Sequence, residues 1–377
     1  MTTDAGFTDT TSVRPHSRER LPSLDGLRAL SIALVVIGHA AATMPPMPIW
    51  LGGIVGVLSN GELGVAFFFV ISGYLITHLL LRELKATGTI SFRNFYVRRV
   101  TRIFPAFYSY LAILAVLAAC GYVSVRPIDF LAAGCFLWNY LPMTSGWWLG
   151  QTWSLSIEEQ FYLLWPVTLF LLRPRKAGWL AIAIIALEPA IRVASYILWP
   201  SYRGRIPIMM HTRADILMFG CVLALLDDNA ILNALLERLA RRSMMIAICV
   251  FLFVIDPILA ARYRGAYVLP IGFSLEGASI SAIVATLIRY PQSRAGRIFN
   301  LRPMVWFGLI SYSVYLWQQL FLTRQNLTFS GRFPVNVLFT ILVAAASYYW
   351  IEQPVLRMRS RFLRSPRREV IGPGAAL

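Results

Sequence analysis

The stretch GELGVAFFFVISGYLITHLLL, residues 61–81, decides the fold class. Its apolar residues run on without the period-two alternation of a barrel strand. At about 1.5 Å per residue, the stretch matches a hydrocarbon core about 30 Å thick. Similar runs fall at 27–45, 103–123, 152–172, 178–198, 212–227, 244–260, 268–288, 304–322 and 335–352, which predicts ten spans; the run at 212–227 is the shortest. A further run at 128–142 is too short to cross unaided and reads as a re-entrant or interfacial piece. The 377 residues are 57% hydrophobic and only 14% charged, and the mean hydropathy is +0.62. These values exclude a soluble enzyme and a disordered chain. Cys120, Cys135, Cys221 and Cys249 lie in or beside apolar runs without metal-site spacing, so they read as small buried hydrophobes. The expected fold is all-α and polytopic.

The net charge of +17 invites a nucleic-acid partner. In a polytopic protein, however, basic residues hold inner loops at anionic membrane lipid, so no nucleic acid is expected. With the N-terminus inside, most of the 35 Lys+Arg fall in inner loops and tails, among them Arg14, Arg18 and Arg20. This distribution predicts cytoplasmic termini and a multi-pass integral membrane protein. An eleventh span at 128–142 would put Arg173, Arg175 and Lys176 outside, which favours ten. Residues 29–38 followed by Ala40–Ala42 resemble a signal-peptide core, but residues 1–20 are longer than a typical leading basic segment.

A charge within the hydrocarbon costs about 2.5–3.5 kcal/mol on insertion scales, so each intramembrane ionisable group is a functional candidate. His39, Glu158, Glu188, Arg192, Asp256 and Glu276 fall within spans. His39 and Glu158 each lie about 9 Å below the outer end of their spans by helical rise. At one depth, a carboxylate can orient an imidazole and fix its tautomer. Arg28, eleven residues before His39, shares its helix face about three turns below. Arg99 and Arg102, at i and i+3, form a fork suited to phosphate. All three arginines also suit an interfacial anchoring role. Glu188 and Arg192, at i and i+4, are expected to neutralise one another, and Asp256 precedes a kink at Pro257. Arg213 and Asp215 point to opposite sides of a helix. Arg213, Asp215, Glu276, Trp153 and Tyr162 are candidate cavity or acceptor residues. Trp147, Trp148 and Trp153 suit either a sugar face or an interfacial aromatic belt. No metal site and no permanently bound cofactor are expected.

Seven strings stand in register across nearly the whole chain: LDGLRALSIALVVIGHA (24–40), FFFVISGYLIT (67–77), FYVRRVTRIFPAF (95–107), TWSLSIEEQFYLLWP (152–166), TRADILMFG (212–220), ISYSVYLWQQ (310–319) and YWIEQPVLR (349–357). Together they resemble the acyltransferase-3 family of integral-membrane O-acyltransferases. The resemblance implies a ten-helix membrane domain over residues 23–357, between cytoplasmic tails at 1–22 and 358–377. It places the family's histidine at His39, its first arginine at Arg28, its arginine pair at Arg99 and Arg102, and its glutamate at Glu158. Glu159 falls on a variable position.

The implied reaction moves an acyl group, most often acetyl, from the co-substrate acyl-CoA (acetyl-CoA). The acceptor is a hydroxyl of a carbohydrate or lipid-linked glycan, such as lipopolysaccharide O-antigen or exopolysaccharide. The CoA phosphates would dock at Arg99 and Arg102, and pantetheine would thread past Arg28 toward His39. His39 would then act as general base oriented by Glu158, or as an acyl-histidine nucleophile. Two departures stand out. Many members carry a histidine where this chain has Gln318, and some append an SGNH hydrolase-like domain that the short tail after 357 has no room for, which predicts a stand-alone form. The alternative is a transporter of a lipid-linked sugar or acyl group without covalent chemistry; the lack of a visible internal repeat weighs against it.

Overall fold

The computed structural model describes residues 21, 23–141, 146–227 and 229–361, apart from the side chain of Ser360. The N-terminal tail with Arg14, Arg18 and Arg20, and nearly all of the C-terminal tail, lie outside the described residues. The described residues are helical and include no strand.

Seven helices among them are long and apolar enough to cross a membrane. The ten sequence runs map onto these helices by physical subdivision. Helix α1 is Leu24–Ala40, and a short exposed helix, α2 (Ile49–Leu58), precedes α3 (Gly61–Thr87). The side chain of Asn60 caps the start of α3 by accepting from the Leu63 amide at 2.9 Å, and Gly88 ends it at φ +72°. Helix α4 spans Phe92–Ala119. The run at 128–142 yields only α5 (Pro127–Gly134) and a 3₁₀ turn at Trp138–Tyr140 within its described part, so it does not cross.

Helix α6 (Thr152–Leu198) is two passes in one run. Arg173 breaks it at φ +62°, ψ 162°, with Pro174 next. Gln160, before the break, donates to Asn139 Oδ1 at 3.0 Å. Arg205, beyond the end of the second arm, donates to the Asn139 carbonyl at 3.3 Å. A straight helix would hold residues 160 and 205 about 65 Å apart, so the arms must run antiparallel. The short α7 (Ala214–Leu225) and the broken pair Arg302–Leu309 and Ser311–Phe321 account for the other two runs.

Helix α3 is the central post, buried from Leu63 to Thr77 on nearly every side, and it packs on α1 and α7. Small residues allow the α3–α7 crossing: a Cβ on Gly73 would lie 2.1 Å from the Leu217 carbonyl oxygen, and one on Gly220 would lie 2.1 Å from that of Val70. This crossing, with α1 on the other side, leaves the polar stripes of α1, α3 and the first arm of α6 facing one another.

Candidate active site

At the Leu24 end of the bundle, Arg28 of α1, Ser72 of α3, Arg99 and Arg102 of α4 and Glu158 of α6 converge. Tyr162 Oη donates to Ser72 Oγ at 3.1 Å, and Ser72 Oγ donates to Glu158 Oε1 at 2.8 Å. The Arg99 guanidinium lies 5.0 Å from the Tyr162 ring centroid and 5.7 Å from that of Phe95. Arg28 and Arg99 are within electrostatic range of Glu158, and Arg102 is within range of Arg28. The buried Nε atoms of Arg28 and Arg99 have no hydrogen-bond partner in the protein. Arg28 and Arg99 flank Glu158, and their unpartnered Nε–H groups are donors that an anion would satisfy. A cavity of about 40 Å³ opens here, lined by Arg28, Glu158, Phe69, Tyr312 and Tyr315 among others.

His39 lies in the last turn of α1 and opens into a different, larger cavity of about 770 Å³. Its Nδ1–H donates to Gln318 Oε1 at 3.1 Å, which leaves Nε2 as the lone-pair nitrogen. The ring meets Trp147 edge-on at a centroid distance of 4.9 Å. Trp147 is itself fixed: its Nε1–H donates to the Gln319 carbonyl at 2.7 Å, and Gln319 Nε2 donates back to the Trp147 carbonyl at 2.5 Å. Trp138, Trp153 and Gln151 complete the wall. Trp148, expected from the sequence to act with Trp147 and Trp153, does not line this cavity and packs in the core.

The expected His39–Glu158 pair is therefore not a direct one. Gln318 holds the imidazole, Ser72 holds the carboxylate, and the two groups line separate cavities whose shared walls are Val65 and Tyr315. Equal depth did not bring contact because the two helices present these groups on either side of Tyr315. That tyrosine is anchored by Ser154 Oγ at 2.5 Å and donates to the Gln151 carbonyl at 3.1 Å.

Two further expectations change. Arg192 is 3.8 Å from Glu188, but its closer partner is Asp215 at 2.8 Å. It also donates to the Leu269 carbonyl at 2.7 Å and to Ser274 Oγ at 2.8 Å. Glu188 instead accepts from the backbone amides of Ala214 and Asp215 and so caps α7. Asp215 thus belongs to a buried structural network and does not line the His39 cavity. Arg213 does turn away from Asp215, toward Glu276 at 4.0 Å and over the Phe273 ring at 3.7 Å. Asp256, read as a kink residue, accepts from Tyr267 Oη at 2.6 Å.

The sequence reading missed Glu352. It accepts from Ser313 Oγ and lies within electrostatic range of Arg102 and Arg28. The signal was the glutamate of YWIEQP at the end of the last apolar run.

The fold and site define a helical membrane protein in which a small cavity lined by Arg28 and Glu158 and a larger imidazole-bearing, tryptophan-lined cavity meet at one wall. The chain belongs to the acyltransferase-domain family (acyltransferase-3), which it matches over residues 21–351. It is 29% identical over 373 residues to the peptidoglycan O-acetyltransferase OatA of Listeria monocytogenes, covering 90% of this chain and 56% of that protein. A Staphylococcus aureus (strain COL) protein provisionally named an O-acetyltransferase is 30% identical over 366 residues, covering 89% of this chain and 57% of its own length. YrhL of Bacillus subtilis, provisionally named a peptidoglycan O-acetyltransferase, is 28% identical, covering 93% and 56%. The chain thus spans about half the length of the curated relatives it matches. No solved structure matches it.

Proposed function

We propose that the chain is a membrane O-acyltransferase that moves an acetyl group from acetyl-CoA to a hydroxyl of a carbohydrate acceptor, in a bacterial cytoplasmic membrane with both termini inside. The reading rests above all on one observation: the cavity lined by Arg28 and Glu158 and the His39 cavity share the wall formed by Val65 and Tyr315. Phosphates of CoA pair with Arg99 and Arg102, the thioester is directed past Arg28 and Glu158, and the acceptor sugar stacks on Trp147 and Trp153. His39 Nε2, freed by the Nδ1–H bond to Gln318, takes the proton of the acceptor hydroxyl as that oxygen attacks the thioester carbonyl. The C–S bond breaks, the acetyl ester forms, and the imidazolium returns the proton to the CoA thiolate. Gln318 is a positioning residue that fixes the tautomer. Glu158 acts on the donor side, held by Ser72 between Arg28 and Arg99.

Relatives named for peptidoglycan O-acetylation support a glycan of that type as acceptor. O-antigen and exopolysaccharide belong to the same chemical class. The test supplies labelled acetyl-CoA to membranes containing the protein and compares O-acetyl esters on cell-envelope glycans, by mass spectrometry, with and without the gene. Label in ester linkage that depends on His39 is expected. Unlabelled glycan, with CoA binding intact, would favour movement of a lipid-linked sugar or acyl group without covalent chemistry.

A further inference from the structure

Beside the His39 cavity lies a second pocket of about 300 Å³, between the end of α2, the start of α3 and residues 256–276. Ser59 and Glu62 line both, so the two spaces adjoin. Its polar lining is rich in acceptors: Glu62, Asp256 and Glu276, with no Lys, Arg or His among the residues that wall it. Two polar atoms there lack partners. Glu276, only 6% exposed, has no hydrogen bond to its buried Oε2; its nearest cation, Arg213, is 4.0 Å away, beyond hydrogen-bond reach. The buried Oγ of Ser59, at the junction, is also unpartnered. Leaving such atoms unpaired is unfavourable, and a ligand that donates to them removes the penalty. The pocket is flanked by two π-helical stretches, Phe251–Ile255 and Val268–Gly272, a feature frequent at functional sites.

The geometry points to a second acceptor subsite: this pocket takes the sugar unit adjoining the one acylated at His39, through O–H or N–H donors to Glu276, Glu62 and Ser59. The absence of basic lining residues argues against a phosphate or carboxylate ligand. The inference rests on the proposed glycan acetylation, so its test separates the two. The full-length protein in detergent is given labelled acetyl-CoA and three probes: N-acetylglucosamine, N,N′-diacetylchitobiose, and the same disaccharide with both amines free. Binding of each is followed in parallel by quenching of tryptophan fluorescence.

The disaccharides should be acylated with a KM about tenfold below that of the monosaccharide, the gain expected from one or two hydrogen bonds to a carboxylate. Glu276→Met and Glu62→Met, which remove the acceptor oxygens, should bring the disaccharide-to-monosaccharide ratio of KM close to one. Glu62 is exposed, so its variant keeps the test valid if loss of the Arg213 partner unfolds Glu276→Met. Preference for the free-amine disaccharide identifies an ammonium as the donor; equal use of both identifies hydroxyls. A disaccharide with no advantage in the wild type, or an advantage that Glu62→Met retains, overturns the subsite. Disaccharide binding that Glu62→Met weakens, without any acetyl transfer, would sink the acetylation reading and leave the subsite standing.

Discussion

Replacing Gln318 with methionine tests the assignment of His39 most directly. Gln318 is fully buried, and its side-chain oxygen is the acceptor for His39 Nδ1–H at 3.1 Å. Methionine keeps the length and volume of the side chain but removes the acceptor. A neutral hydrogen bond contributes about 0.5–1.5 kcal/mol, and a buried donor left unpaired costs about 1–3 kcal/mol. With about 1.36 kcal/mol per tenfold in rate, kcat should fall between about 2-fold and about 150-fold. The loss should appear in kcat, because the bond orients the base and does not touch the donor. The KM for acetyl-CoA should stay within about twofold of wild type by the same reasoning. Gln318→Glu, which keeps an oxygen facing Nδ1, should restore much of the rate. His39→Gln should lose about 10²–10⁴-fold, the usual worth of a general base. Adding Gln318→Met to it should then cost little more, since a positioning residue has nothing left to position. Rates would be measured with labelled acetyl-CoA in membranes matched for protein level. Full activity in Gln318→Met, or equal and independent losses from the two sites, would refute the positioning role.

Other consequences follow from the same geometry. Arg99→Ala and Arg102→Ala should each weaken acetyl-CoA binding by about 1.5–3 kcal/mol, with poor rescue by lysine; equal losses for CoA and dephospho-CoA would show that neither reads the 3′-phosphate. Glu158→Gln should raise the KM for acetyl-CoA more than that for the sugar, because Glu158 shares its cavity with Arg28; a change confined to the sugar would return Glu158 to the His39 side. Arg192→Met should destabilise the protein by about 3–5 kcal/mol by leaving Asp215 buried without its cation, read as a lower melting temperature in detergent and absent if the network is dispensable. Reporter fusions at Leu377 and near Met47 should report cytoplasm and periplasm respectively, and a periplasmic signal at Leu377 would invert the orientation.

What could be read from the sequence divides along one physical line. Position along a helix axis is legible, because rise per residue is fixed: the apolar runs, the failure of 128–142 to cross, and Arg28 about three turns below His39 all came from counting. Position around the axis, relative to other helices, is not fixed by counting. His39 and Gln318 are 279 residues apart, and no spacing rule connects them. Arg192 had a sequence neighbour at i−4, yet Asp215 of α7 outcompetes it because Glu188 is drawn off to cap that helix. Glu276 and Arg213, 63 residues apart in the chain, likewise approach to 4.0 Å without any spacing rule to connect them. The motif strings singled out His39, Glu158 and the arginines without saying which of them touch. Tyr315 makes the distinction matter. It stands in one of those strings as an unremarked aromatic, and in the fold it walls both cavities. Two titratable groups expected to meet at one depth thereby line different cavities, one with Arg28 and one with the tryptophans.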